Sequence, residues 1–348
     1  MIDIKKYVDY LRQYDGPCMN ICEVCGSHTA AIAKNGIKSI LSPKISLISG
    51  PGCPVCVTPS SYIDRLIDLS LKEGYTIVTF GDLMKVPGSK ASISSSKWQG
   101  VKSVMVYSPL DVISLAVNNP EEKYVFAAIG FETTTPVYAL LLQQLISQNI
   151  CNVKLLTALK TMPPAIEKMC KSGSPIHGFI APGHVSVITG SNIYQPISSK
   201  YNIPFGVAGF TGEDLIIAIY GIVKARGMGK VMNFYPRVVT EKGNIKAQEM
   251  MAKYFEICDA CWRGLGNIPV SGLKLKEQYS FYDAGSYGLD EDIKINKMCS
   301  CDKVLTGFFK PKDCTLFGKA CTPENPQGAC MVSEEGSCHT AYVNGENI

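Results

Sequence analysis

Fifteen cysteines in 348 residues are the feature most able to do chemistry. Five lie early (Cys18, Cys22, Cys25, Cys53 and Cys56) and six lie between Cys299 and Cys338. Only Cys151 and Cys170 fall between Cys56 and Cys258, where they read as small buried hydrophobes. Cys18, Cys22, Cys258 and Cys261 receive no role from spacing, although Cys22 suits a buried thiol beside a site. The stretch Gly50-Pro51-Gly52-Cys53-Pro54-Val55-Cys56 places two thiols on a glycine-rich loop. The apolar run Ile45-Ser46-Leu47-Ile48 before it reads as a strand, and Thr58-Pro59 after it as the start of a helix over 60–73. The end of a helix dipole favours a thiolate there, with Cys56 the more reactive of the pair. Thiolates of this kind ligate metals or attack disulfides.

A second pair, Cys22-x-x-Cys25, runs into Gly26-Ser27-His28-Thr29. A thiol and an imidazole on one loop suit a soft transition metal. The two pairs together could make a zinc site, but 27 residues separate them and a strand intervenes. Cys53-Pro54-Val55-Cys56 before a helix also has the form of a thioredoxin-type disulfide, without the rest of that signature. Near the carboxyl end, Cys299, Cys314, Cys321 and Cys338 leave gaps of 14, 6 and 16 residues. The prolines and glycines between them suit a chain wrapped around a cofactor. Four thiolates can hold a [4Fe–4S] cluster or zinc. The close pairs of a zinc ribbon are missing, and two further thiols, Cys301 and Cys330, favour the cluster.

The elements that must position these residues alternate. Runs at 75–80, 101–107, 124–129, 153–159, 177–180 and 205–208 read as strands, with helices between them. The expected fold class is α/β: parallel-sheet βα domains followed by a smaller, loop-rich iron–sulfur domain. The expected divisions are 15–145, 146–230 and 231–348, with 1–14, which carries a short amphipathic helix over 2–14, packed on the last. Helical runs are expected to continue to about Cys261. Cys53/Cys56, Asp82, Glu132, His184 and Asp214 each follow a strand, the place where open α/β sheets bind ligands. For Asp214, in Thr211-x-x-Asp214, a helix cap is the better reading.

Composition sets the class. The chain is 46% hydrophobic and 18% charged, ordinary for a folded protein. A net charge of +4 without a basic block gives no support for nucleic-acid binding. No apolar run is long enough to span a bilayer. The start, Met1 to Lys6, has no signal-peptide core, so a cytoplasmic location is expected. Metal or redox work is then the expected use of the cysteines, and their odd number means that disulfides alone could not pair them all.

Several motifs occur together and in order: Cys25-Gly26-Ser27-His28-Thr29, Gly50 to Cys56, Gly130-Phe131-Glu132-Thr133-Thr134 and Pro182-Gly183-His184-Val185-Ser186. Cys314-Thr315-Leu316-Phe317-Gly318, Cys321-Thr322-Pro323-Glu324 and Gly328 to Ser333 follow. This set resembles the HypD family of hydrogenase maturation factors across nearly the whole chain. Ser27 stands where relatives often have glycine. The resemblance implies work with HypC in assembling the Fe(CN)2CO unit of [NiFe]-hydrogenases. HypE and HypF would supply cyanide, and the hydrogenase large subunit would be an indirect partner. It implies Cys25 as the transient iron-holding thiolate, Cys56 as second candidate, and His28 as ligand or proton donor. Cys53 and Cys56 become a redox dithiol, with Glu132 and His184 as further site residues. Cys299, Cys314, Cys321 and Cys338 become ligands of a [4Fe–4S] cluster, leaving Cys301 and Cys330 as redox thiols. Two other readings stay open: a ferredoxin-linked disulfide reductase, and a zinc-stapled binding protein.

Overall fold

The computed structural model describes residues 3–293 and 296–345. The elements in chain order begin with α1 (Ile4–Arg12), β1 (Met19–Glu23), α2 (Gly26–Lys34), α3 (Ile37–Ile40), β2 (Ile45–Ser49) and α4 (Ser60–Glu73). Then come β3 (Tyr75–Thr79), β4 (Ser103–Met105), α5 (Asp111–Asn118), β5 (Lys123–Gly130), α6 (Thr135–Ser147), β6 (Val153–Lys160) and α7 (Met162–Lys171). β7 (Gly178–Ala181), α8 (Gly183–Thr189), α9 (Gln195–Tyr201), β8 (Phe205–Val207), α10 (Gly212–Lys224) and β9 (Val231–Asn233) follow. The chain continues with α11 (Ile245–Tyr254), β10 (Phe255–Trp262), β11 (Gly266–Leu275), α12 (Cys301–Leu305) and α13 (Ser337–Val343).

The strands build two sheets. One is wholly parallel, in the order β2-β1-β7-β8-β9. The other has the order β10-β11-β6-β5-β3-β4, with β6, β5, β3 and β4 parallel and the β10–β11 hairpin antiparallel at its edge. The expected α/β class with mainly parallel strands is therefore present. The chain crosses between the sheets three times: after β2, after β6 and after β9. Each sheet thus draws strands from both 15–145 and 146–230. α1 packs on α10, where Tyr7 and Tyr10 meet Tyr220 edge to face. Residue 2, where the expected first helix begins, lies outside the described residues.

Two expectations need correction. The run toward Cys261 is not helical throughout: α11 ends at Tyr254 and a strand starts at the next residue. Phe255, Cys261 and Trp262 are buried while Glu256 and Ile257 are exposed, which suits a hairpin covered on one face. Cys151 is exposed beyond α6 instead of buried. β1 had no expected counterpart, because its Met-Asn-Ile-Cys-Glu lacks the β-branched signature of a strand.

Local chemistry explains the element ends. Gly74, at φ +76°, closes α4 in the left-handed conformation that glycine adopts without cost. Thr211 and Asp214 form a reciprocal capping box at the start of α10. β5 is buried from Tyr124 to Gly130, as a central strand covered on both faces must be. One apolar core joins the sheets: Ala127 and Ile129 of one share it with Phe179 and Val207 of the other, and it extends to the tail cysteines.

Candidate metal and thiol site

Two loops meet at the carboxyl end of the first sheet. β1 runs straight into Cys25, which precedes α2 with extended backbone. The loop after β2 returns against it: the Gly50 N–H donates to the Glu23 carbonyl at 2.8 Å and the Gly26 N–H donates to the Gly52 carbonyl at 3.2 Å. Glycine is required for this approach. A Cβ on Gly52 would stand 2.2 Å from the Cys25 nitrogen, and one on Gly50 would stand 2.8 Å from the Cys22 sulfur. The Cys25 loop and the Cys53–Cys56 loop are consequently packed together, and all three thiols are buried. Cys22 is fully buried beside them, as expected.

Glu23, not singled out by sequence, organises the Cys25 loop. It is buried, and its carboxylate accepts the Cys25 N–H at 3.0 Å and the Thr29 hydroxyl. Burial raises its pKa to about 7, against the pull of these donors. Burial also pushes the Cys25 thiol up to about 12, so the loop holds a protonated thiol until a cation replaces the proton. The only sequence signal for Glu23 was a carboxylate two residues before a candidate ligand.

His28 lies in the first turn of α2, fully buried. Its Nε2 sits 3.2 Å and 3.1 Å from the carbonyls of Ala208 and Gly209, so Nε2 carries the hydrogen and donates. Its Nδ1 is then an unprotonated lone pair with no partner. Burial lowers its pKa to about 4, so the ring is neutral. Phe210 lies between the two candidate histidines, 4.7 Å from His28 and 4.0 Å from His184, ring centroid to centroid. His184 itself faces solvent.

Glu132 comes from the second sheet, just past β5. It is buried; one carboxylate oxygen accepts the Met162 N–H at 2.9 Å and the other has no partner. Burial raises its pKa to about 7. Buried Tyr194 lies near both Glu132 and Cys25, and burial pushes its hydroxyl pKa up. The remaining strand-end acids are structural. Asp214 forms a bidentate pair with Arg237 at 2.8 and 2.6 Å, and Asp82 accepts from the Ser333 hydroxyl at 3.0 Å.

The tail closes the site. The Ser27 hydroxyl donates to Glu335 at 2.9 Å, and a Cβ on Gly26 would meet the Glu335 Cβ at 2.3 Å. The Cys56 thiol points at the Ala329 carbonyl, 3.7 Å away. Cys330 lies beside both Cys56 and Cys301, and these neighbours pull its thiol down. Burial and the same contact push Cys56 up. This overturns the expectation that the helix end makes Cys56 the more acidic thiol: Cys56 stands four residues before α4 and is sealed from water. All fifteen cysteines are free thiols. The Cys56 N–H donates to the Cys53 sulfur at 3.2 Å, so the thiols run in series from Cys53 through Cys56 and Cys330 to Cys301.

Cys299, Cys301, Cys314, Cys321 and Cys338 line one small enclosure, completed by Val304, Leu316, Phe317 and Met331. Gly328 leaves room there: a Cβ would stand 2.6 Å from the Cys299 sulfur and 2.7 Å from that of Cys301. The Gln327 N–H donates to the Cys321 sulfur at 3.3 Å, a contact that stabilises thiolate. Among the described residues no group of three or more His, Cys, Asp or Glu is placed to hold a single metal ion. An all-sulfur, apolar enclosure of five thiols from four segments is compatible with an iron–sulfur cluster.

The family model described as "Hydrogenase formation hypA family", and labelled HypD, matches residues 3–345. The chain belongs to the HypD family of hydrogenase maturation factors. It is 39% identical over 343 residues to hydrogenase maturation factor HypD of Cupriavidus necator, covering 95% of this chain and 90% of the relative. It is 42% identical over 335 residues to the HypD of Rhizobium leguminosarum bv. viciae, covering 92% and 87%. With the HypD of Azotobacter vinelandii the identity is 38% over 349 residues, covering 97% and 91%. No helix among the described residues is long and apolar enough to cross a membrane.

Proposed function

We propose that this HypD-family chain acts with HypC as the scaffold on which iron receives its cyanide and carbon monoxide ligands, cyanide arriving through HypE and HypF. The observation that carries the reading is the packing of the Cys25 loop against the Cys53–Cys56 loop, under a cysteine-rich tail. In this reading Cys25 holds the iron substrate, with Cys56 as second thiol and with donors from the partner. Glu23 fixes the Cys25 backbone. Thiolate suits low-spin iron bearing such ligands. Glu132, poised near neutrality, takes the proton that the Cys25 thiol gives up, Tyr194 lying near both. His28 offers Nδ1 as ligand or proton acceptor, and His184 guards the open side of the Phe210 stack.

Cys299, Cys314, Cys321 and Cys338 would hold a [4Fe–4S] cluster, whose chemistry when bound is one-electron transfer. The series Cys301, Cys330, Cys56 and Cys53 gives thiol redox a route between that enclosure and the iron loop. The same series also suits a disulfide reductase, but in that reading Cys25 and the buried His28 have no task.

The test is infrared spectroscopy of the anaerobically purified complex with HypC. The wild-type complex should show bands of iron-bound cyanide and carbon monoxide. A Cys25→Ala complex should lose them, should keep its brown colour, and should leave cells without active [NiFe]-hydrogenase. Full-intensity bands in that variant would move the iron to Cys56; a wild-type complex without bands would favour the reductase.

A further inference from the structure

β2 is the outer strand of the parallel sheet. Its inner edge pairs with β1, and the terminal bonds of that ladder fix its orientation: the Met19 N–H donates to the Lys44 carbonyl, and the Gly50 N–H donates to the Glu23 carbonyl. In a parallel ladder only alternate residues bond to one neighbour. Residues 44, 46, 48 and 50 therefore face β1, and the peptide groups of Ile45, Leu47 and Ser49 face outward. The Ile45 N–H is taken by Ser42, and the Ser49 carbonyl receives the Ser337 hydroxyl at 3.4 Å. The Leu47 N–H and carbonyl make no hydrogen bond on that side among the described residues.

That edge forms one wall of a groove of about 610 Å³. The opposite walls come from 307–313 and α13. Exposed Phe308 and half-buried Leu41 add apolar surface. The rim carries Lys310 and Lys312, and its one acid, Asp313, is occupied by the Lys310 N–H at 2.8 Å. An open, flat strand edge is normally covered or guarded, because it templates another strand.

We propose that this groove docks an extended, acidic segment of a partner protein, which adds to β2 as a sixth strand of the sheet. Main-chain bonds to Leu47 supply the pairing, and acidic side chains answer Lys310 and Lys312. The surface is distinct from the thiol loops, so the inference does not depend on the iron reading. It nonetheless adjoins them. Thr29 lines the groove and holds Glu23, Ser49 leads directly into Gly50, and α13 carries Cys338.

The probe is a fluorescein-labelled ten-residue peptide of alternating valine and glutamate, added to the full-length chain under anaerobic conditions. Anisotropy should show saturable binding. The same peptide with lysine for glutamate, or with alternate amides N-methylated, should bind at least about tenfold more weakly, because charge or strand pairing is lost. A Lys310→Glu/Lys312→Glu chain should lose binding of the acidic peptide by a similar factor. Hydrogen exchange at Leu47 should slow when the acidic peptide is present. Equal binding of the basic or N-methylated peptide, or no slowing at Leu47, overturns the proposal. So does protection of Leu47 without peptide: if it grows with protein concentration, the occupant is a second copy, and if it vanishes on deletion of 346–348, the occupant is the chain's own end.

Discussion

Glu132 shows how much a single buried side chain can decide. One of its carboxylate oxygens has no partner, and burial lifts its pKa from the ordinary 4.5 to about 7. The folded state therefore binds a proton that the unfolded state has already released between those two values. The stability contributed by that proton is present below about pH 4.5 and is lost as pH rises through 7. Glu132→Gln keeps the shape and removes the titration. Relative to wild type, the variant should gain about 3 kcal/mol between pH 5 and pH 8. Urea unfolding at the two pH values measures this, and a difference that does not change with pH would show the carboxyl to be ionised throughout. Glu23 titrates with the same sign, whereas buried His28 has the opposite sign, resisting protonation until about pH 4.

At the scale of elements, the site depends on how closely two loops approach. Gly52 has no Cβ, and one placed there would collide with backbone, which cannot swing aside. Gly52→Ala should cost about 3 kcal/mol and should abolish the cyanide and carbon monoxide bands even if the chain still folds. Gly74→Ala is the control. Its strained backbone, with open space around it, should cost only about 1 kcal/mol and leave the bands intact. Thermal melts and infrared spectra of both variants test the pair of statements, and equal effects would mean that loop contact does not matter. The Phe210 layer is a second element-level device. Phe210→Ala removes the surface shared by His28 and His184, and should lower stability by about 3 kcal/mol in urea unfolding while letting water reach His28.

The whole molecule joins two sheets and a tail. The tail contacts Asp82 near the second sheet and Ser27 near the first, while its cysteines surround one enclosure. Loss of one thiol there should therefore be felt at Cys25. Cys314→Ala should lower bound iron, bleach the brown colour and expose 296–345 to protease. Alkylation of Cys25 should rise several-fold, because Glu335 no longer covers its loop. Mass spectrometry of labelled peptides reads each thiol separately. Unchanged Cys25 labelling together with lost iron would show that the tail holds its shape without bound iron.

Much of this was legible in the sequence. The α/β alternation, the helix over 60–73 and the capping box at Thr211 follow from local periodicity and turn chemistry, which act within a few residues. The motifs around Cys25, Cys53 and Glu132 identified the family. Tertiary structure alone decided the rest. Which sheet a strand joins depends on long-range packing, so the interleaving of two sheets left no trace in segment order. Protonation depends on burial, so a helix end that should favour a thiolate is overruled at Cys56, and His28 stays neutral. Glu23 gained its role because a backbone N–H and a hydroxyl happen to converge on it. The contact of Cys330 with Cys56 joins residues 274 positions apart, and only the folded chain brings them together.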